Sequence, residues 1–264
     1  MAIYLGSNKV ANAHASGGST PTLIPKNITS NGTYTAASDN ADGYSQVTVN
    51  VGGGSSENDL LFHFEGDYNN SGKSDAVFFK TNGLTISNEQ SKFGSYSLKC
   101  GTLQEYYNVA MPYDFELGSD DFTLDFWVYP TNLVEGSTYK VPFACNYRSI
   151  AFYLSQTLIE FGLSKTGSSW FNVADISADI ANNEWHHIAL VRDGTNIYGF
   201  VDGEKLQTIN FGNDSIATMN TISIGSNTYS SGDRRFQGYI DELRIIKGEA
   251  VWTDDFTPPT QPYE

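Results

Sequence analysis

WHHIALVRDGTNIYGFVDGEKLQTI, residues 185–209, decides the fold class. Two Asp-Gly pairs, Asp193-Gly194 and Asp202-Gly203, punctuate runs rich in β-branched and aromatic residues. Asp-Gly accepts the positive φ angles of a tight hairpin, so the stretch reads as a meander of three antiparallel strands. Upstream, FTLDFWVYP (122–130) alternates Phe122, Leu124, Phe126 and Val128 onto one face, the period of a strand with a buried side. From residue 57 to 264 such runs recur between Gly, Asn and Asp turns, and none of useful length keeps a 3.6-residue apolar period. The pattern is that of an all-β sandwich of two antiparallel sheets.

Towards the N-terminus the composition changes. Residues 1–20 begin with a strand-like run, Ala2 to Leu5, and end in a small-residue stretch; they are expected to form an arm or anchor. Residues 21–51 read as a small β unit, with a turn at Asn31-Gly32 and with Val47, Val49 and Val51 alternating onto one face. Gly52-Gly53-Gly54-Ser55-Ser56 is a flexible linker by composition, so the main domain is expected over 57–264.

The chain of 264 residues carries a formal net charge of −15. Such a surface repels nucleic acid and anionic membranes, and no Lys/Arg run offsets it. No apolar run approaches the ~20 residues of a membrane span. MAIYLGSNKV lacks the charged and apolar regions of a signal peptide, so synthesis in a cytoplasm is expected. Cys100 and Cys145 stand outside any CxxC spacing, which favours buried free thiols over a disulfide.

Five blocks in order carry a likeness: LLFHFEGD (60–67), KFGSYSLKCG (92–101), FTLDFWVYPTN (122–132), the 185–209 meander, and FQGYIDELRIIKGEAVWTDDFTPPTQPY (236–263). Together they resemble the laminin-G-like, concanavalin A-like lectin/glucanase jelly rolls, in the version common in tailed-phage virion proteins. The closing run is the most specific piece. NGTYTAASDNADGYSQVTVNV (31–51) resembles a short repeat of phage and prophage tail and surface proteins. The resemblance implies two antiparallel sheets, one concave, with rim loops that bind glycans or proteins, and in some members a structural calcium.

Hydrolases of this architecture carry an ExDxE run on one strand, and none occurs here. Asp241-Glu242 are adjacent and therefore point to opposite faces of a strand; Asp120-Asp121 and Asp254-Asp255 share that defect. His186-His187 diverge likewise, and His63 stands alone between Phe62 and Phe64. Structural roles are expected for these three histidines, and the chain reads as non-enzymatic.

Two kinds of site remain. Alternation in GYIDELRII puts Tyr239, Asp241, Leu243 and Ile245 on one face. A carboxylate there needs a partner: Ca2+, with help from Glu65 and Asp67, or backbone N–H groups of a neighbouring turn. A glycan site would combine aromatics with polar groups. Loop-like segments offer Tyr106, Tyr107, Tyr147, Arg148, Trp170, Tyr229, Asp233 and Arg234. The expected function is a virion-associated phage structural protein. Its N-terminal region would contact other virion proteins and its jelly roll would adhere to host-surface or environmental glycans, with a homo-oligomer, a trimer, supplying avidity. The alternatives are a purely structural capsid or tail decoration protein and a bacterial carbohydrate-binding surface module.

Overall fold

The computed structural model describes residues 2–5, 8–14, 22–25, 32–34, 47–49, 58–74, 76–79, 84–101, 107–110, 115–145, 148–171, 174–219, 221–225 and 234–264. Among them, no helix is long and apolar enough to cross a membrane. Strands β1 (Ala2–Leu5), β2 (Asn8–His14) and β3 (Thr22–Pro25) form one antiparallel sheet in that order. It therefore runs from the expected arm into the start of the small β unit. Strands β4 (Gly32–Tyr34) and β5 (Val47–Val49) pair antiparallel.

The remaining strands make the sandwich. They are β6 (Leu60–Phe62), β7 (Val77–Phe79), β8 (Thr85–Ser87), β9 (Ser97–Cys100), β10 (Tyr107–Ala110), β11 (Phe122–Pro130), β12 (Lys140–Cys145) and β13 (Ile150–Leu154). After them come β14 (Leu158–Leu163), β15 (Ile176–Ser177), β16 (His186–Asp193), β17 (Asn196–Val201), β18 (Glu204–Asn210), β19 (Thr221–Ile224) and β20 (Gly238–Lys247). One sheet has the order β15-β14-β13-β12-β19-β10-β7; the other has β18-β17-β16-β11-β20-β9-β8, with β6 added against β20. These two antiparallel sheets are the sandwich that the alternation implied, in the concanavalin A-like jelly-roll form that the resemblance implied.

Between the sheets lies one apolar core. Phe122, Leu124, Phe126 and Val128 all enter it, as the period-2 pattern requires. Phe126 stacks on Phe143 at 5.8 Å and meets Phe152 edge-on at 5.0 Å, which ties β11 of one sheet to β12 and β13 of the other. Each such fully buried ring stabilises the fold by about 1.5–3 kcal/mol. Gly199 on β17 lets the sheets approach, since a Cβ there would sit 2.4 Å from the Phe161 ring. Cys100 and Cys145 are buried free thiols.

The meander forms, with one shift. Asp202 and Gly203 both take positive φ, 49° and 83°, between the paired residues Val201 and Glu204. In the first hairpin Asp193 pairs with Asn196, so Gly194 and Thr195 make the turn instead of Asp193-Gly194, with Gly194 at φ 57°.

Strand β20 departs further from simple alternation. Trp127 faces Asp241 and Asp125 faces Arg244, so one residue of β11, Phe126, spans two of β20, and Glu242 sits at φ 50°. This bulge reverses the phase. Ile240, Leu243 and Ile245 enter the core, whereas Asp241 shares the outer face with Tyr239. The expected grouping of Asp241 with Leu243 and Ile245 is therefore corrected.

Candidate functional site

The outer face of the seven-stranded sheet collects residues from distant parts of the chain. On β13 and β14 the apolar positions Phe152, Ile159 and Phe161 turn inward, which sends Tyr153 and Glu160 outward as register partners. The next pairs are Leu158 with Ser177 and Ile159 with Ile176, so Asp175 continues the row beside Glu160. Tyr153 belongs to a second apolar cluster with Tyr139, Val141 and Trp170.

Trp170 meets Tyr153 edge-on at 6.2 Å, and the Arg234 guanidinium lies 5.6 Å from the same ring. Trp170 docks over Gly162, where a Cβ would come within 3.1 Å of the indole. Arg148 donates from Nη1 to the Ser168 carbonyl at 3.0 Å, bracing the loop that carries Trp170. Tyr139 donates its hydroxyl to Asp175 at 2.6 Å. Glu160 and Asp175 are hydrogen-bonded to each other. Burial and that bond, with the negative charge behind it, push the Glu160 carboxyl up to about 7. Asp175 is held below the ordinary carboxylate range by the bonds from Tyr139 and Glu160. Two interacting carboxyl groups, one of them raised towards neutrality, thus lie beside an aromatic shelf and an exposed cation.

Of the eight glycan candidates read from the sequence, Trp170 and Arg234 converge here and Arg148 supports them. Tyr107 lies on β10, and its side chain is outside the described residues, as are Tyr106, Tyr147, Tyr229 and Asp233. Sequence reading missed Tyr139, Tyr153, Glu160 and Asp175. The signal for Tyr153 and Glu160 was their alternation with Phe152 and Phe161.

Asp241 is buried on the outer face of the other sheet. Its Oδ2 accepts from Lys92 N at 2.8 Å and Phe93 N at 3.3 Å, and its Oδ1 from Glu242 N at 2.9 Å. The same loop is held by Glu65, which accepts from Ser95 N at 3.0 Å and Tyr96 N at 3.1 Å. Asp67 turns away to Asn69 N at 2.9 Å. These residues do not fit the calcium ion that the fold family sometimes holds. Their oxygens face N–H donors, and among the described residues no group of three or more His, Cys, Asp or Glu gathers as metal ligands. The neighbouring-turn alternative for Asp241 is the arrangement observed. Burial pushes its carboxyl up to about 8 against the pull of the backbone donors.

Nearby, residues 249–264 form a strap over that face. Trp252 and Phe256 stack at 4.0 Å and pack on Ala189, Val191 and Phe200. Tyr263 donates its amide to Glu242 Oε2 at 2.9 Å and its hydroxyl to Asp125. Asp125, wholly buried, also receives Arg244 Nε at 2.9 Å and lies 3.1 Å from His187 Nε2. Burial alone would raise the Asp125 carboxyl, but Arg244 and the bonds from His187 and Tyr263 hold it below the ordinary range. His63 Nδ1 sits 2.8 Å from Glu242 and His186 Nδ1 2.7 Å from Asp202. His63, His186 and His187 are thus each bound to a carboxylate. His186 also borders a groove of about 670 Å³ between β15 and β18, rimmed by Asp179, Glu184 and Glu204.

With this geometry, the concanavalin A-like lectin/glucanases profile matches residues 101–251, more than half of the chain. The chain belongs to that superfamily. Among solved structures it is similar to the botulinum neurotoxin serotype G binding domain, at 14% identity and TM-score 0.58, covering 74% of this chain and 48% of that one. The serotype D ligand binding domain in complex with N-acetylneuraminic acid gives 12% identity, TM-score 0.59 and coverage of 74% and 48%. Domain 4 of AbnA, a GH43 extracellular arabinanase from Geobacillus stearothermophilus, in complex with arabinotriose, gives 16%, 0.52, 74% and 94%. The superfamily member thus spans about half the length of the toxin structures it matches. At these identities the likeness shows the fold. No curated protein matches the sequence.

Proposed function

We propose that this superfamily member is a carbohydrate-recognition protein that reads its ligand on the outer face of the seven-stranded sheet. The observation that carries the reading is the meeting of Trp170 and Arg234 on Tyr153, beside the Glu160–Asp175 pair. A partly exposed indole offers an apolar ring to a sugar, while carboxyls and a guanidinium read hydroxyls. Structural neighbours that carry N-acetylneuraminic acid and arabinotriose support the class of ligand.

The reading is binding rather than hydrolysis. Glycosidases separate their two carboxyl groups by about 5–9.5 Å to flank a glycosidic bond. Glu160 and Asp175 are neighbours in one row of the sheet and each shifts the other's carboxyl, and the sequence holds no ExDxE run on one strand.

The setting we propose is a tailed-phage virion, with the N-terminal region contacting the particle and the jelly roll displayed for adhesion. Its support is the sequence likeness of residues 236–263 and 31–51 to phage proteins. Weak single-site binding would gain from several copies, a trimer in this reading. The recognition claim is tested on a glycan array with purified protein and a Trp170→Ala variant. Sugar-specific binding that weakens by about 30-fold in the variant, as for a hot-spot aromatic, supports it. Absence of binding by folded protein favours a structural decoration role. Particles decorated equally by a fragment lacking residues 1–54 would refute the attachment role.

A further inference from the structure

We infer that the Glu160–Asp175 pair makes this face selective for neutral saccharides and ties their binding to one shared proton, an inference that rests on the recognition reading above. The argument begins with register. Tyr153 and Glu160 are opposed across β13 and β14, and the β14–β15 pairing brings Asp175 alongside. Two carboxylates so placed repel one another unless a proton lies between them. A proton held between them relieves that repulsion, in line with the upward push that Asp175 exerts on the Glu160 carboxyl.

The charged and titratable groups that act on Glu160 come from three directions. Asp175 stands beside it before β15, Tyr139 approaches from the segment before β12, and Arg234 lies across Tyr153. With its proton, the pair contributes one negative charge and Arg234 one positive charge, so the site is close to neutral. An anionic sugar gains little there and meets a chain of net charge −15. A neutral sugar avoids that repulsion and finds one O–H donor, several acceptor oxygens and the partly exposed Trp170 ring.

Loss of the proton changes each of these. The O–H donor disappears, the two carboxylates repel, and the site becomes negative. The Glu160 carboxyl is poised near 7, so the change falls in the neutral range. Loss of one such hydrogen bond corresponds to about tenfold in affinity.

The test uses the full chain on an array of neutral arabino-, gluco- and galacto-oligosaccharides, arabinotriose among them, with their sialylated counterparts. Wild type and Glu160→Gln are compared at pH 5.5 and 8.5, with melting curves to confirm that each sample is folded. Glutamine keeps a donor and an acceptor at both pH values. The expected result is neutral-glycan binding by wild type that falls about tenfold at pH 8.5, and binding by Glu160→Gln that is flat with pH. Preference for sialylated glycans, or wild-type binding independent of pH, would overturn the inference and leave recognition standing. No binding at either pH would overturn both.

Discussion

Replacement of Asp125 by alanine is the sharpest probe of how the strapped face is held. Asp125 is fully buried and is the counter-charge of Arg244, whose Nε lies 2.9 Å away and whose Nη2 is buried without a partner. Alanine leaves that guanidinium in a low-dielectric site with only the weaker influence of Glu242 to offset its charge. It also removes the acceptor of the Tyr263 hydroxyl and a partner of His187. Breaking a buried pair on one side costs about 3–5 kcal/mol. With a urea m-value of about 3 kcal/mol/M, the unfolding midpoint should fall by about 1–1.7 M. Replacing both charges, as Asp125→Leu with Arg244→Met, should recover much of the loss, because hydrophobic substitutes for a buried pair are often neutral. Tyr263 Oη and His187 Nε2, 3.3 Å apart, can then bond to each other. Urea denaturation followed by tryptophan fluorescence reads both variants. A loss under about 1 kcal/mol in Asp125→Ala, or a double variant no more stable than the single, would refute the reasoning.

Three further outcomes follow from the same face. Because the Asp125 carboxyl is held below its unfolded value, its stabilisation is present above about pH 4 and lost as pH falls through the folded value. Asp125→Asn should therefore shallow the acid limb of a melting-temperature profile, and an unchanged limb contradicts the assignment. Asp241 has the opposite sign: its folded carboxyl, pushed up to about 8, keeps a proton that the unfolded chain releases near 4, so stability falls as pH rises between them. Asp241→Asn should flatten the profile from pH 4 to 8, and a retained slope would contradict burial as the cause. Gly203→Ala places a Cβ 1.9 Å from the Phe256 carbonyl at φ 83°, so it should cost more than about 1 kcal/mol and expose the strap to limited proteolysis; equal protease resistance would count against strap docking.

The core was legible because Phe122, Leu124, Phe126 and Val128 follow the period of a strand and all enter one layer. The meander was legible because Asp202-Gly203 supplies the positive φ angles that few other residue pairs accept. The bulge at Asp241-Glu242 was not. Nothing in DELR marks the extra residue, which shows only in its pairing with Phe126, and it reversed the assignment of Asp241. The Asp125–Arg244–His187 cluster was also hidden. Polar residues alternating with a buried stripe look solvated until a distant Pro-rich segment lies over them. Within the candidate site, Trp170 and Arg234 were visible as residue types, and their convergence was not, because 64 positions and a sheet crossing separate them. Glu160 sits on β14 and Asp175 just before β15, 15 positions on, so a search for closely spaced carboxylates passes over them.

The most direct test of the central claim is glycan binding by wild type, Trp170→Ala and Arg234→Ala, measured by array and then by calorimetry on the best-bound sugar. The account predicts saturable wild-type binding that weakens at least tenfold in each variant. The unfolding midpoint should barely move in Arg234→Ala, whose side chain is exposed, and fall in Trp170→Ala, which loses its packing on Tyr153 and Gly162, with both variants still folded at the binding temperature. Wild-type binding left intact in both variants would place recognition elsewhere on the domain and contradict the account.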